Sequence, residues 1–129
     1  MKNIIKVGLV QQKVTKDPSK NLSTTCNSIR LAAAQGARII VLQELHLTPY
    51  FCQTQNPDNF DLAEPVPGPV TETLSDVAKE LKVIIVGSIF EKRGKGIYHN
   101  TAVVIDQEGK LAGKYRKMHI PDDPGYYEK

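Results

Sequence analysis

The sequence predicts an α/β fold in which helices cover a mixed sheet, and two observations lead to it. Residues 4–10 and 38–42 are short, almost continuously apolar segments, which are typical of strands covered on both faces. Apolar residues at helical spacing follow each of them, and short glycine-containing turns connect the segments that come last. The predicted order is β-α-β-α-β-β-β, which indicates helices layered on a sheet of parallel and antiparallel strands.

Both predicted helices begin at a proline. Asp17 can cap the first helix before Pro18, and Gly36 suits its C-terminal end. The second helix begins at Pro69. Cysteine is often a core residue, and the spacing of Cys26 predicts that it packs in the core rather than reacts. Each helix has one apolar face, formed by Leu22, Cys26, Ile29 and Ala33 in the first and by Val70, Leu74, Val77 and Leu81 in the second.

The remaining strands are predicted from apolar segments that turns separate. They span residues 83–90, 98–106 and 111–115, with turns at 93–96 and 107–110, and they form an antiparallel meander. Residues 48–69 contain five prolines and many polar side chains, which predicts a long loop. A loop of this length inside a compact domain is either functional or disordered.

Composition narrows the classes of function. Hydrophobic residues make up 40% of the chain and charged residues 24%, as in ordinary globular proteins. The net charge of +3, from 17 basic and 14 acidic residues, is too small to indicate a nucleic acid or an anionic membrane as partner. No apolar segment approaches the ~20 residues that span a membrane, and the N-terminus lacks the features of a signal peptide. We therefore expect a cytoplasmic protein.

Two charged residues directly follow predicted strands. Glu44 comes after the second strand, and ligand sites in α/β sheets lie at the carboxyl ends of strands. A carboxylate shielded there by the long loop can act as a general base, although strand-end glutamates often only cap or pair at the surface. Lys117 comes after the last strand, where an ammonium can stabilise an oxyanion. The alternative for Lys117 is a basic edge strand that discourages aggregation.

Other polar residues give weaker indications. His46, His99 and His119 lack the close spacing of a metal site, so we expect no metal. No glycine-rich turn joins a strand to a helix, which excludes dinucleotide and phosphate loops, and no cofactor is expected. Cys52 has no neighbour in sequence that would activate it as a nucleophile.

Four segments of the sequence carry a family resemblance: 5–11, Leu-Gln-Glu-Leu at 42–45, 98–106, and Lys-Tyr-Arg-Lys-Met-His-Ile-Pro at 114–121. Together they resemble the carbon–nitrogen hydrolases of the nitrilase superfamily. The resemblance implies an α-β-β-α sandwich, of which residues 1–129 would be the N-terminal part of a single domain, incomplete at the C-terminus. It also implies a homo-oligomer for the full-length protein.

The family's catalytic set is a glutamate, a lysine and a cysteine. By motif the glutamate falls on Glu44 and the lysine on Lys117, and a second glutamate of the family matches Glu128. The family's cysteine follows the lysine loop, and neither Cys26 nor Cys52 corresponds to it. The resemblance therefore implies that these 129 residues alone are inactive. The alternative is a non-catalytic remnant or an interaction module.

The implied activity is hydrolysis of a C–N bond in a linear amide or ureido substrate. Residues 48–53 and 121–129 are most similar to the branch that converts N-carbamoylputrescine to putrescine, CO2 and ammonia, while ureidopropionase, aliphatic amidase and nitrilase activities stay open as alternatives. The ammonium of such a substrate needs a carboxylate or an aromatic face nearby. Asp122 and Asp123, beside Tyr126, are the candidates, although Asp-Asp-Pro-Gly is also common in surface turns.

Overall fold

The computed structural model describes residues 4–128 as one five-stranded mixed sheet with two helices. The strands lie side by side in chain order, the first three parallel and the last two antiparallel to the strand before. The predicted α/β class, element order and C-terminal meander are confirmed. The elements are β1 (Val7–Val10), α1 (Pro18–Ala34), β2 (Ile39–Leu42), α2 (Pro69–Leu81), β3 (Ile84–Gly94), β4 (Ile97–Ile105) and β5 (Leu111–Arg116).

The ends of α1 follow from its sequence. The Asp17 side chain accepts a hydrogen bond from the backbone N–H of Lys20 at 3.1 Å, which satisfies one of the free donors in the first turn. After the helix, Gly36 takes a φ of +89°, a conformation that residues with a side chain rarely adopt. Both predicted helix ends are confirmed.

The core lies between the sheet and the two helices. Ile29 of α1 and Leu74 of α2 are completely buried against the sheet. Gly8 allows α1 to approach β1 closely, because a Cβ at this position would lie 2.9 Å from the Cβ of Ala32. Cys26 belongs to the same core, which confirms its predicted packing role.

The opposite face of the sheet is exposed. Leu9 of β1 and Tyr115 of β5 are 80% and 59% exposed, because both helices pack on the other side. The prediction that the first strand is covered on both faces is therefore wrong for residues 4–128. In the α-β-β-α sandwich expected from the sequence, a second sheet would cover this face.

The long connection between β2 and α2 follows a defined path and is not disordered. It contains two short 3-10 helices, Phe51–Gln53 and Pro57–Leu62. Glu64 fixes its far end to β3, since its N–H donates to the carbonyl of Phe90 at 3.0 Å and its carbonyl accepts from the N–H of Lys92 at 2.7 Å. The connection therefore covers one end of the sheet as an ordered wall.

A buried ion cluster holds the end of β5. Glu91 of β3, only 1% exposed, accepts two hydrogen bonds of 2.8 Å from the Arg116 guanidinium, one of 3.1 Å from Lys114 and one of 2.7 Å from the Thr101 hydroxyl. These donors, Arg116 above all, hold the pKa of Glu91 at about 2, against the effect of burial. Because Arg116 directly precedes Lys117, the cluster also fixes the start of the segment that carries Lys117.

We expect Glu91→Gln to destabilise the protein by about 2–4 kcal/mol, because two cations lose their charged partner while each keeps some contact with water. Glu91 has a depressed pKa in the folded state, so its contribution is complete above about pH 5 and is lost as the pH falls towards 2. Urea unfolding at pH 7 and at pH 3 measures both effects. Glu108→Gln is the matched control, because its ion pair with Lys82 is more than half exposed on both sides. Equal losses in the two variants would contradict the expectation.

Candidate active site

Polar side chains from four parts of the chain meet at one end of the sheet. Glu44 directly follows β2, and Lys117 directly follows β5, at the end where the carboxyl termini of the parallel strands lie. Asn100 lies in the first half of β4, which starts at that end because β4 is antiparallel to β3. Glu128 is brought back by the terminal segment, which the N–H of Tyr127 anchors by donating to the carbonyl of Cys52 at 2.6 Å.

The structure brings together Glu44, Lys117 and Glu128, the three residues that were predicted to be catalytic. The Lys117 ammonium lies 3.3 Å from Oε1 of Glu44 and 2.9 Å from Oε2 of Glu128. A lysine between two carboxylates can orient both of them and remains charged itself. Their catalytic roles stay a prediction.

Two members of this network were missed in the sequence. Asn100 donates from Nδ2 to Glu44 at 2.6 Å and to Glu128 at 2.7 Å. The Tyr50 hydroxyl donates to Oε2 of Glu128 at 3.0 Å. The available signal for Asn100 was a polar residue inside an apolar strand, and it lies within one of the segments that carry the family resemblance.

Hydrogen bonds in the network shift the pKa values of Glu128 and Lys117. Burial alone would raise the pKa of Glu128, but hydrogen bonds from Asn100, Lys117 and Tyr50 outweigh burial and lower it. The hydrogen bond to Glu128 in turn raises the pKa of Lys117. At neutral pH the pair is therefore a fixed carboxylate and a fixed ammonium. The Glu44 side chain is 51% exposed, so it is not shielded as predicted.

A cavity of about 690 Å³ opens from this network. Asn100, Lys117 and Glu128 line one end, and a group of four neighbouring aromatic rings and several side-chain amides lie among the other lining residues. The rings pack on one another, with centroid separations of 4.8 Å for Phe51–Phe90 and 4.5 Å for Phe60–Tyr98. The aromatic wall, as we call it, consists of Phe51, Phe60, Phe90 and Tyr98.

The residues predicted to bind substrate do not line this cavity. Asp122 and Asp123 are exposed on the terminal segment. Tyr126 is half exposed and packs against Tyr50, with ring centroids 6.3 Å apart. Tyr127, which was not predicted, lines the cavity instead. The role of Asp122, Asp123 and Tyr126 in substrate binding stays a prediction.

Cys52, His46 and His119 are not arranged for catalysis. Cys52 lines the cavity, but burial raises the pKa of its thiol, which disfavours the reactive thiolate. His46 is buried beside Thr25, and burial lowers its pKa to about 4, while His119 is exposed. Residues 4–128 contain no group of three or more potential metal ligands and no helix long and apolar enough to cross a membrane.

Comparisons with known proteins identify the family of the chain. The family model described as carbon–nitrogen hydrolase matches residues 6–129. N-carbamoylputrescine amidase of Solanum lycopersicum is 42% identical over 98% of this chain and 42% of its own length. Citrullinase of Francisella tularensis is 38% identical over 97% of this chain and 44% of its own length.

A solved structure gives the same result. The crystal structure of a carbon–nitrogen hydrolase from Helicobacter pylori superimposes with a TM-score of 0.90 at 43% identity, over 96% of this chain and 43% of that one. The chain thus spans less than half the length of the relatives it matches. Both the matched region and the arrangement of its strands show that the chain belongs to the carbon–nitrogen hydrolase family of the nitrilase superfamily.

Proposed function

We propose that the protein containing this chain hydrolyses a C–N bond in a linear amide or ureido compound. The observation that carries the proposal is the contact of Lys117 with both Glu44 and Glu128 at the end of a cavity large enough for a small linear substrate. In this proposal Glu44 is the general base and acid, and Lys117 stabilises the oxyanion. Glu128 holds Lys117 in place.

The nucleophile in this proposal is a cysteine thiol supplied from outside these 129 residues. Glu44 takes the thiol proton while the sulfur bonds to the carbonyl carbon and the C=O electrons move onto oxygen, next to the Lys117 ammonium. When the C–N bond breaks, Glu44 returns the proton and ammonia leaves. Water then hydrolyses the resulting thioester, or the thiocarbamate of a ureido substrate, and regenerates the thiol.

We further propose N-carbamoylputrescine as the substrate. The similarity of the chain to a plant N-carbamoylputrescine amidase supports this proposal, and so does the lining of the cavity. Lys117 is the one Lys or Arg among the described lining residues, and two carboxylates already engage it. The aromatic wall suits an ammonium, since cations bind to ring faces. A substrate tail with a carboxylate, such as that of citrulline, would find no unengaged lysine or arginine in this part of the lining.

The test compares three ureido substrates by ammonia release from the full-length protein: N-carbamoylputrescine, citrulline and the uncharged N-carbamoylbutylamine. We expect N-carbamoylputrescine to be hydrolysed with the highest kcat/KM, at least ~10-fold above citrulline, because a charge without a partner disfavours binding. Faster hydrolysis of citrulline would overturn the substrate proposal and leave the reaction class intact.

Variants tested with the same substrates distinguish the two candidate cation sites. If the aromatic wall binds the ammonium, Phe60→Leu should raise KM for N-carbamoylputrescine about 3–10-fold, while KM for N-carbamoylbutylamine changes less. If Asp122 and Asp123 bind it, as predicted from the sequence, then Asp122→Asn or Asp123→Asn should have that selective effect instead. We expect the effect from Phe60, because neither aspartate lines the cavity.

A further inference from the structure

Asn100 contacts every member of the predicted catalytic set. Its Nδ2 donates to Oε1 of Glu44 at 2.6 Å and to Oε1 of Glu128 at 2.7 Å. Its backbone carbonyl accepts from the N–H of Lys117 at 2.8 Å. Within residues 4–128, this one residue therefore links the carboxylates to each other and to the backbone of the lysine.

The chemistry of the amide group explains why asparagine suits this position. The amide nitrogen carries two hydrogens, so it can donate one to each carboxylate. The reverse orientation would bring Oδ1 against two carboxylate oxygens, so the orientation of the amide is determined by its partners. Aspartate, although equal in size, has no such donors when ionised, and leucine has none at all.

The backbone around Asn100 is more firmly held than that around either carboxylate. Asn100 lies opposite Phe90 in the β3–β4 pairing, and β5 pairs with β4 on the other side. Glu44 and Glu128, by contrast, lie on irregular segments. A donor on a central strand can thus hold two side chains whose own backbones lie outside regular structure.

The amide of Asn100 lies between two carboxylates that repel each other. Two carboxylates that share one lysine repel each other, and such repulsion favours protonation of one of them. Hydrogen bonds donated to the ionised carboxylates oppose this protonation. We propose that Asn100 is a positioning residue of the hydrolase, which orients Glu44 and Glu128 towards Lys117 and keeps Glu128 ionised. This inference rests on the proposed function.

The test uses three variants of the full-length protein: Asn100→Leu, Asn100→Asp and Asn100→Gln. We expect kcat to fall about 10–100-fold in the first two while KM changes less than about threefold, since the geometry of the catalytic groups is lost rather than binding. The acid limb of kcat/KM should move to higher pH by about one unit with leucine, and further with aspartate, which adds a negative charge. Glutamine keeps the donor, so it should retain the native acid limb.

Asn27→Asp on the exposed surface of α1 is the matched control for added charge. A second measurement does not require activity: ¹³C NMR titration of the Glu128 carboxyl, whose pKa should rise in Asn100→Leu. An acid limb and a Glu128 titration in Asn100→Leu and Asn100→Asp that both match those of Asn27→Asp would overturn the inference. Failure of the native protein to hydrolyse any amide or ureido substrate would instead overturn the proposed function, and the NMR titration would still test the link.

Discussion

Glu44→Gln is expected to lower kcat about 10³-fold in the full-length protein, with KM nearly unchanged, because it removes the proposed general base. Glutamine has almost the same shape, and its Oε1 can still accept the hydrogen bond from Asn100. The side chain is 51% exposed, so the free energy of unfolding should change by no more than about 0.5 kcal/mol. Ammonia release and urea unfolding on the same preparations separate the two effects.

Glu72→Gln is the matched control, since Glu72 is exposed in the first turn of α2, away from the cavity. It should retain full activity. Activity of Glu44→Gln within tenfold of the native protein would show that another group takes the proton. Glu128 would then be the leading candidate, although three hydrogen bonds hold it as a fixed anion.

Strand periodicity made Glu44 and Lys117 candidates for the site, and the family resemblance then implied their roles. Glu44 and Lys117 each come directly after an apolar strand, and the carboxyl ends of such strands meet at one edge of the sheet. Glu128 required the family resemblance, because the 11 residues from Met118 to Glu128 lie outside helices and strands and their path has no periodic signal.

Asn100 shows what periodicity leaves open. Alternation along β4 places Asn100, Ala102 and Val104 on one face, but only the pairing with β3 and β5 decides that this face meets the catalytic set. The same limit applies to the aromatic wall. Phe51 and Phe60 lie on the long connection, whose path depends on tertiary contacts such as the pairing of Glu64 with β3.

The predicted end of β3 was four residues short for a related reason. The apolar pattern stops at Phe90, and the predicted turn begins at Arg93. In the structure, pairing with β4 continues to Gly94, with an irregularity after Lys92. Ladder hydrogen bonds and the ion cluster of Glu91 stabilise this polar end, and neither is visible in a hydrophobic pattern.

Replacement of Lys117 should have the second large effect. Lys117→Met keeps most of the side-chain volume but removes the ammonium that we propose stabilises the oxyanion, and loss of one such donor typically lowers kcat 10²–10³-fold. It also leaves Glu44 and Glu128 without their shared cation, so the loss should lie at the upper end, about 10³-fold. The repulsion between the two carboxylates should then raise the pKa of Glu128, and the acid limb of the pH profile should move to higher pH.

The basic limb of the pH–activity profile gives an independent check on the role of Lys117. Glu128 raises the pKa of Lys117 above its usual value. Lys117 is therefore fully protonated below the usual pKa of lysine, and it loses its charge only as the pH rises through the raised pKa. A basic limb below about pH 10 must therefore come from another group, and it should persist in Lys117→Arg. Arginine keeps the charge but not the compact geometry, so it should recover about tenfold of the activity lost in Lys117→Met.

Lys114→Met is the matched control, because Lys114 is also a lysine near the end of β5 but contacts Glu91 and not Glu44 or Glu128. It should lower the free energy of unfolding by about 1 kcal/mol while leaving kcat within about threefold of the native value. Steady-state kinetics and urea unfolding of the native protein, Lys117→Met, Lys117→Arg and Lys114→Met give the comparison. If Lys117→Met and Lys114→Met lose activity equally, the cation at position 117 acts through the stability of β5 rather than on the reacting carbonyl, and its assignment as oxyanion donor is wrong.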